Sequence, residues 1–447
     1  VAPAGSRFDT ARLKALADRR IVREGGAAAI GQIGVALGLL VGGRILTEVV
    51  PPAAFGEAAL VLGLAVLAKN VFVASIHQAC VRFLPLAVRE GRTEDFAALL
   101  RRRQRRGLLL ASVLLAVSAA AYCLFRASMD ALPSFALGTG VLLVDGAVGL
   151  LANWANGTRQ QGRYAAWSVA NAWSRPLCAA ALGWLMGPLA WVVVAGHLAG
   201  AILAGTLLRP PSASKNSKSD WTRRIEPEVA RFGRPFAAMA WVGWVTNLGD
   251  RYVLAAFHGN VDVGIYVAAY ALASQPFSVL GAFLAVWLRP ALFDAAARGD
   301  DRRSMRLLLI WGVLAVGLGA AGVAVLGTAS SLIVRLLLGP RFREAAPLLV
   351  FIGAAYALQT VQQVFETVLQ LRHETWKMLV AQVVNASVAA VGYFILIPGG
   401  GARGAAIATV AGFASSTALA CVMALGAGGL AGRPLSGLDA PDEHVTE

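Results

Sequence analysis

Between Phe232 and Gly299 the chain lays down two long apolar runs, FGRPFAAMAWVGWVTNLGDRYVLAAF and VGIYVAAYALASQPFSVLGAFLAVWLRPALF, separated only by the short HGNVD. Each is long enough to cross a bilayer, because about 20 helical residues at about 1.5 Å rise span a hydrocarbon core of about 30 Å. The first run nevertheless carries the adjacent charges Asp250 and Arg251. Charge within a span is costly, so such residues face a protein interior or a wet cavity and are functional-site candidates by default.

The same order of parts occurs earlier, in GGRILTEVVPPAAFGEAALVLGLAVLAKNVFVASIHQACVRFLPLAVREGR. An Arg late in one span is followed by a short break, a Phe-Gly or Val-Gly opening the next span, an Arg and a Pro near its far end, and a charged Gly turn. Gly56 and Gly91 are 35 residues apart, as are Gly264 and Gly299. This spacing reads as two homologous halves offset by 208 residues; chance similarity between two glycine-rich apolar hairpins is the alternative.

Apolar runs recur along the whole chain, in which 57% of residues are hydrophobic and only 15% charged, the pattern of a polytopic membrane protein. We place twelve spans between residues 25 and 425. Of the 40 Lys and Arg residues, 31 fall in or beside the seven segments on the side of the N-terminus, 5 on the other side and 4 within spans. That asymmetry accounts for the net charge of +15 as a positive-inside pattern, puts both termini in the cytoplasm and argues against a nucleic-acid partner. No cleavable signal peptide is read in the polar, basic first 24 residues. The four cysteines are solitary, so neither a disulfide framework nor a metal site is expected.

The expected fold class is an all-α polytopic membrane protein of about 12 transmembrane helices in two pseudo-symmetric six-helix lobes. The expected organisation is a basic cytoplasmic segment (1–24), an N-lobe (25–208), a Pro/Ser/Lys-rich cytoplasmic linker (209–232), a C-lobe (233–425) and a disordered cytoplasmic tail (426–447). The longest outer loop, TASSLIVRLLLGPRFREA, is half apolar and reads as a short interfacial helix.

Several of these stretches carry a family resemblance. FGRPF entering a span, GDRYVLAAF followed by VGIYVAAYALA, and WLRPALF resemble the opening of the C-terminal half of bacterial O-antigen flippases and polysaccharide transporters, members of the multidrug/oligosaccharidyl-lipid/polysaccharide exporter superfamily. RILTEVVPPAAFGEAALVL resembles that family's first hairpin, LIVRLLLGPRFREAAPLLVFIGAAYAL its outer segment and following span, and GARGAAIATVAGFAS its last core helix. The resemblance implies a non-enzymatic flippase of the bacterial inner (plasma) membrane. It would carry undecaprenyl diphosphate-linked oligosaccharides through a central cavity by alternating access, for O-antigen, capsule or exopolysaccharide synthesis. The implied partners are the lipid-linked oligosaccharide, the bilayer and a polysaccharide polymerase or other assembly proteins. No cofactor is implied beyond a coupling proton or sodium ion.

A diphosphate crossing hydrocarbon needs compensating cations in a shielded lumen. Arg175, midway along a span and followed by Pro176, has the least opportunity to snorkel and is the first candidate; a structural pair with a buried acid such as Asp145 is the competing role. Arg251, Arg44 and Lys69 complete the substrate-binding set. The competing roles are an ion pair for Arg251, snorkelling at the outer end for Arg44 and at the inner end for Lys69. Asp145, Glu366 and Asp250 are the ion-coupling candidates, each also suited to pairing with an Arg. His197 reads as a hydrogen-bonded core histidine. The Gly34, Gly38 and Gly42 ladder and GLGAAG at 317–322 read as close helix packing. A multidrug exporter of the same superfamily is the alternative within transport, and a membrane-embedded glycosyltransferase or polymerase the alternative among enzymes.

Overall fold

The computed structural model describes residues 31–126, 129–211 and 220–426. The basic segment 1–24, the core of the linker (212–219) and the tail beyond Gly426 lie outside the described residues. Every described element is helical: α1 (Gly31–Val49), α2 (Pro52–Phe72), α3 (Ala74–Arg89), α4 (Thr93–Arg126), α5 (Leu132–Gly157), α6 (Gln161–Met186), α7 (Ala190–Gly205), α8 (Asp220–Ala297), α9 (Asp301–Leu337), a 3₁₀ segment (Pro340–Leu348), α10 (Leu349–Leu371) and α11 (Thr375–Leu425). Eight helices among the described residues are long and apolar enough to cross a membrane. Two of these are broken internally, α8 at Gly259 (φ 82°) and α11 at Gly401 (φ 52°). Both breaks need the left-handed backbone that glycine adopts without penalty.

The described residues pack as two compact units, one drawn from 31–50 and 61–238, the other from 51–60 and 239–426. In the first unit, α5 is buried on a small-residue face. A Cβ on Gly146 would lie 2.5 Å from the Leu108 side chain, and one on Gly149 would lie 2.7 Å from the His77 ring. The glycine ladder of α1 faces α6: added Cβ atoms on Gly34, Gly38 and Gly42 would meet Val169, Trp173 and Pro176 at 2.8, 2.6 and 2.3 Å. Trp173 Nε1 also donates to the Gly34 carbonyl at 2.9 Å. Without a hydrophobic driving force between helices in lipid, this close approach supplies the packing.

In the second unit the two glycines that mark the internal repeat meet each other. A Cβ on Gly56 would lie 2.7 Å from the Gly264 amide nitrogen, and one on Gly264 would lie 2.0 Å from the Pro52 carbonyl oxygen. The two helical segments that carry these glycines therefore cross at them. The two glycine breaks also face each other, because the His258 ring nitrogen Nε2 lies 2.8 Å from the Ile397 carbonyl oxygen it donates to. In α9, Gly319 and Gly322 of GLGAAG pack towards Ala357 and Phe277, as helix-packing glycines should.

One local expectation is corrected. The stretch from Thr328 to Leu337 is not a separate interfacial helix but the last part of α9. It contains neither Pro nor Gly, and Thr328 Oγ1 donates back to the Ala324 carbonyl, so nothing stops the helix before Gly339-Pro340. Within the segment read as linker, the chain from Asp220 is helical and docked as the start of α8. Ile225 and Val229 are buried in a core with Phe96, Leu99 and Leu100 of α4, and Trp221 stands edge-on to Phe96. Arg102 and Arg103 both pair with Glu226, and Trp221 Nε1 donates to Glu90.

Candidate functional site

Three of the sequence-chosen residues come together in the first unit. Asp145 on α5 receives the guanidinium of Arg175 on α6 through both terminal nitrogens, and Lys69 Nζ of α2 lies 3.9 Å from the same carboxylate. Arg175 Nε donates to Asn171 Oδ1 at 2.8 Å, one turn earlier on α6. The cluster is partly shielded: side-chain exposure is 21% for Arg175, 14% for Asp145 and 26% for Lys69. Two cations share one anion, which leaves one positive charge.

The position of Arg175 is set by backbone contact rather than by its own side chain. α7 meets α6 through Gly196 and Gly200, and a Cβ on Gly200 would fall 2.6 Å from the Arg175 Cα and N. Ser174 Oγ donates to the Gly200 carbonyl at 2.8 Å, fixing the rotation of α6 about that crossing. His197 on α7 lies 2.9 Å through Nδ1 from the Val193 carbonyl, a hydrogen-bonded histidine of the helix.

Asp250 and Arg251 occupy the second unit. Asp250 is fully buried; its carboxylate accepts from the Tyr266 hydroxyl and from the Arg251 backbone N–H at 2.8 Å. The Arg251 guanidinium lies 5.1 Å over the Tyr270 ring, a cation–π distance, and its Nε is buried with no hydrogen-bond partner among the described residues. Tyr356 donates to Tyr270 at 2.8 Å, continuing the polar chain. Glu366 forms a separate group: Oε1 accepts from Gln362 Nε2 and Gln382 Nε2 at 2.8 and 3.1 Å, and Gln362 in turn accepts from Ser416 Oγ at 2.7 Å. Arg44 stands apart in the first unit, paired one turn on with Glu48.

The tyrosines around Asp250 were not singled out from sequence, although Tyr266 and Tyr270 sit one turn apart in the VGIYVAAYALA run and share a helix face. Asn385, a mid-span amide whose residue type suits an interhelix hydrogen bond, is fully buried with both amide atoms unpartnered among the described residues.

A bundle of apolar helices carrying ion pairs and carboxylates at depth is the architecture of a multi-pass membrane protein. Residues 21–295 match the family model described as polysaccharide biosynthesis protein, and the chain belongs to that family. Its fold is similar to that of a multidrug resistance MATE family transporter of the MOP superfamily in an inward-facing conformation (TM-score 0.64, 14% identity, covering 89% of this chain and 97% of that one). It is similar too to the lipid II flippase MurJ in an inward closed conformation (TM-score 0.62, 11% identity, covering 90% of this chain and 87% of that one). No curated protein matches the sequence. The two solved proteins that share its fold are, by their descriptions, a transporter and a flippase.

Proposed function

We propose that this protein is a flippase that moves undecaprenyl diphosphate-linked oligosaccharide repeat units across the bacterial inner membrane by alternating access, for O-antigen, capsule or exopolysaccharide synthesis. The observation that carries the reading is the Arg175–Asp145–Lys69 cluster, with its single unneutralised positive charge. A pyrophosphate offers the guanidinium the same paired oxygen acceptors that Asp145 offers, so it can replace the carboxylate on Arg175 while Lys69 steadies the added charge. Membership of the polysaccharide biosynthesis family supports a glycan as cargo.

The coupling ion, a proton or sodium, is assigned to Asp250 and Glu366 ahead of Asp145. The first two carboxylates accept hydrogen bonds from neutral donors, whereas Asp145 is held by two cations. A carboxylate without a bound cation is the one that can exchange an ion during transport.

The test is complementation of a deletion strain with the full chain. Arg175→Gln with normal membrane insertion should remove surface glycan and accumulate lipid-linked repeat units in the inner leaflet. Normal surface glycan in that strain would overturn the reading. So would a deletion strain that accumulates no lipid-linked intermediate.

A further inference from the structure

Away from the Arg175 cluster, the first unit has an open cleft of about 130 Å³ where the end of α5, the first turn of α6 and the chain leaving α7 converge. Its walls include Trp154, Gln160, Arg163, Arg209, Pro210 and Pro211. The same end of the unit carries the basic start of α4, since the Arg101 guanidinium donates to the Pro211 carbonyl.

Several independent features of the cleft suit a phosphate. Two guanidinium groups border it, and neither Arg163 nor Arg209 has a carboxylate partner among the described residues. Arg163 Nη1 is oriented by a neutral group, Gln160 Oε1, at 3.0 Å, so its charge is not cancelled. The N-terminus of the 26-residue α6 opens beside it with no side-chain cap from Gln160, leaving the positive end of the helix dipole available. The floor is the buried Trp154, and the Pro210-Pro211 wall is stiff and tied down through Arg101.

The surroundings point to a lipid as the source of that phosphate. Along the last turn of α7 and the turn that follows it, Ile202, Leu203 and Leu207 are 53%, 58% and 44% exposed, an apolar strip running to Leu208 and Arg209 of the cleft. Tyr164 and Trp167, with ring centroids 5.7 Å apart on α6, pack against Ala155 and Leu208 beside the cleft. A basic cleft above an exposed apolar strip is complementary to a phosphodiester with acyl chains below it.

We propose that this cleft is a binding site for the phosphate of an anionic glycerophospholipid, with Arg163 and Arg209 gripping the headgroup and its chains lying along α7. The site is distinct from the Arg175 cluster and its occupancy does not depend on what the protein transports.

The purified full chain in a neutral detergent, read by native mass spectrometry, tests this. Wild type should retain phosphatidylglycerol in preference to phosphatidylcholine. Arg163→Gln together with Arg209→Gln should weaken that retention by about tenfold or more. The exposed Arg209→Gln alone should weaken it measurably and serves if the double variant folds poorly. The charge-matched Arg89→Gln/Arg298→Gln protein should retain the lipid as wild type does. Equal retention of the two lipids would overturn the proposal, as would equal loss in the charge-matched control. Displacement of the lipid by millimolar inorganic phosphate would do the same, making this a free-anion site.

Discussion

Arg175 shows what a residue's position in a span can and cannot reveal. Its mid-span location forces it to find a polar partner, and Asp145 was a partner visible in the sequence. That Lys69 joins them was not legible, because whether a lysine in the inner third of a span snorkels or turns inward depends on the neighbouring helix. The cluster makes a definite energetic prediction. Removing Asp145 leaves two shielded cations uncompensated, and removing Arg175 leaves Asp145 only the longer contact with Lys69 at 3.9 Å. Arg175→Ala and Asp145→Ala should therefore each lower stability in detergent. The double variant should lose less than the sum of the two, with a coupling of about 0.5–3 kcal/mol. Strictly additive losses in denaturant or thermal unfolding would show that the two side chains do not interact.

The helices are held together by glycine, and at this scale the sequence was informative. The spacing of Gly34, Gly38 and Gly42 announced a packing face, and the structure supplies its partner in Val169, Trp173 and Pro176 of α6. What spacing could not supply is which glycines face nothing. Gly42 and Gly43 are neighbours on α1 with opposite surroundings: a Cβ on Gly42 would meet the rigid Pro176 ring at 2.3 Å, whereas one on Gly43 would meet nothing within 4 Å among the described residues. Gly42→Ala should cost about 1–3 kcal/mol, as overpacking does. Gly43→Ala should be neutral or stabilising by up to about 1 kcal/mol, since alanine is the better helix former. Melting temperatures of the two variants in one detergent decide the matter, and a common sign for both would refute this account of the α1–α6 contact. The docked start of α8 was missed because Pro, Ser and Lys around it read as linker. Its signal was present in Trp221, Ile225, Val229 and Phe232, which recur at helical spacing on one face.

For the whole molecule, two long-range regularities carry the architecture. One is the spacing read in the sequence as an internal repeat, whose two marker glycines, Gly56 and Gly264, lie against each other in the second unit. The other is the distribution of basic residues, which predicts a topology. The segment containing Glu94 belongs to the basic set and the segment containing Glu344 to the poorly charged set, so the positive-inside rule assigns Glu94 to the cytoplasm and Glu344 to the outside. Both residues are exposed, which makes them suitable for labelling. In a background lacking the four native cysteines, Glu344→Cys should react with a membrane-impermeant maleimide in intact spheroplasts, and Glu94→Cys only after permeabilisation. The opposite pattern would invert the protein in the membrane, placing Arg163 and Arg209 at the outer leaflet. Reaction of both from one side would require an odd number of crossings between residues 94 and 344 to be replaced by an even one, which the alternation of basic and neutral loops does not allow.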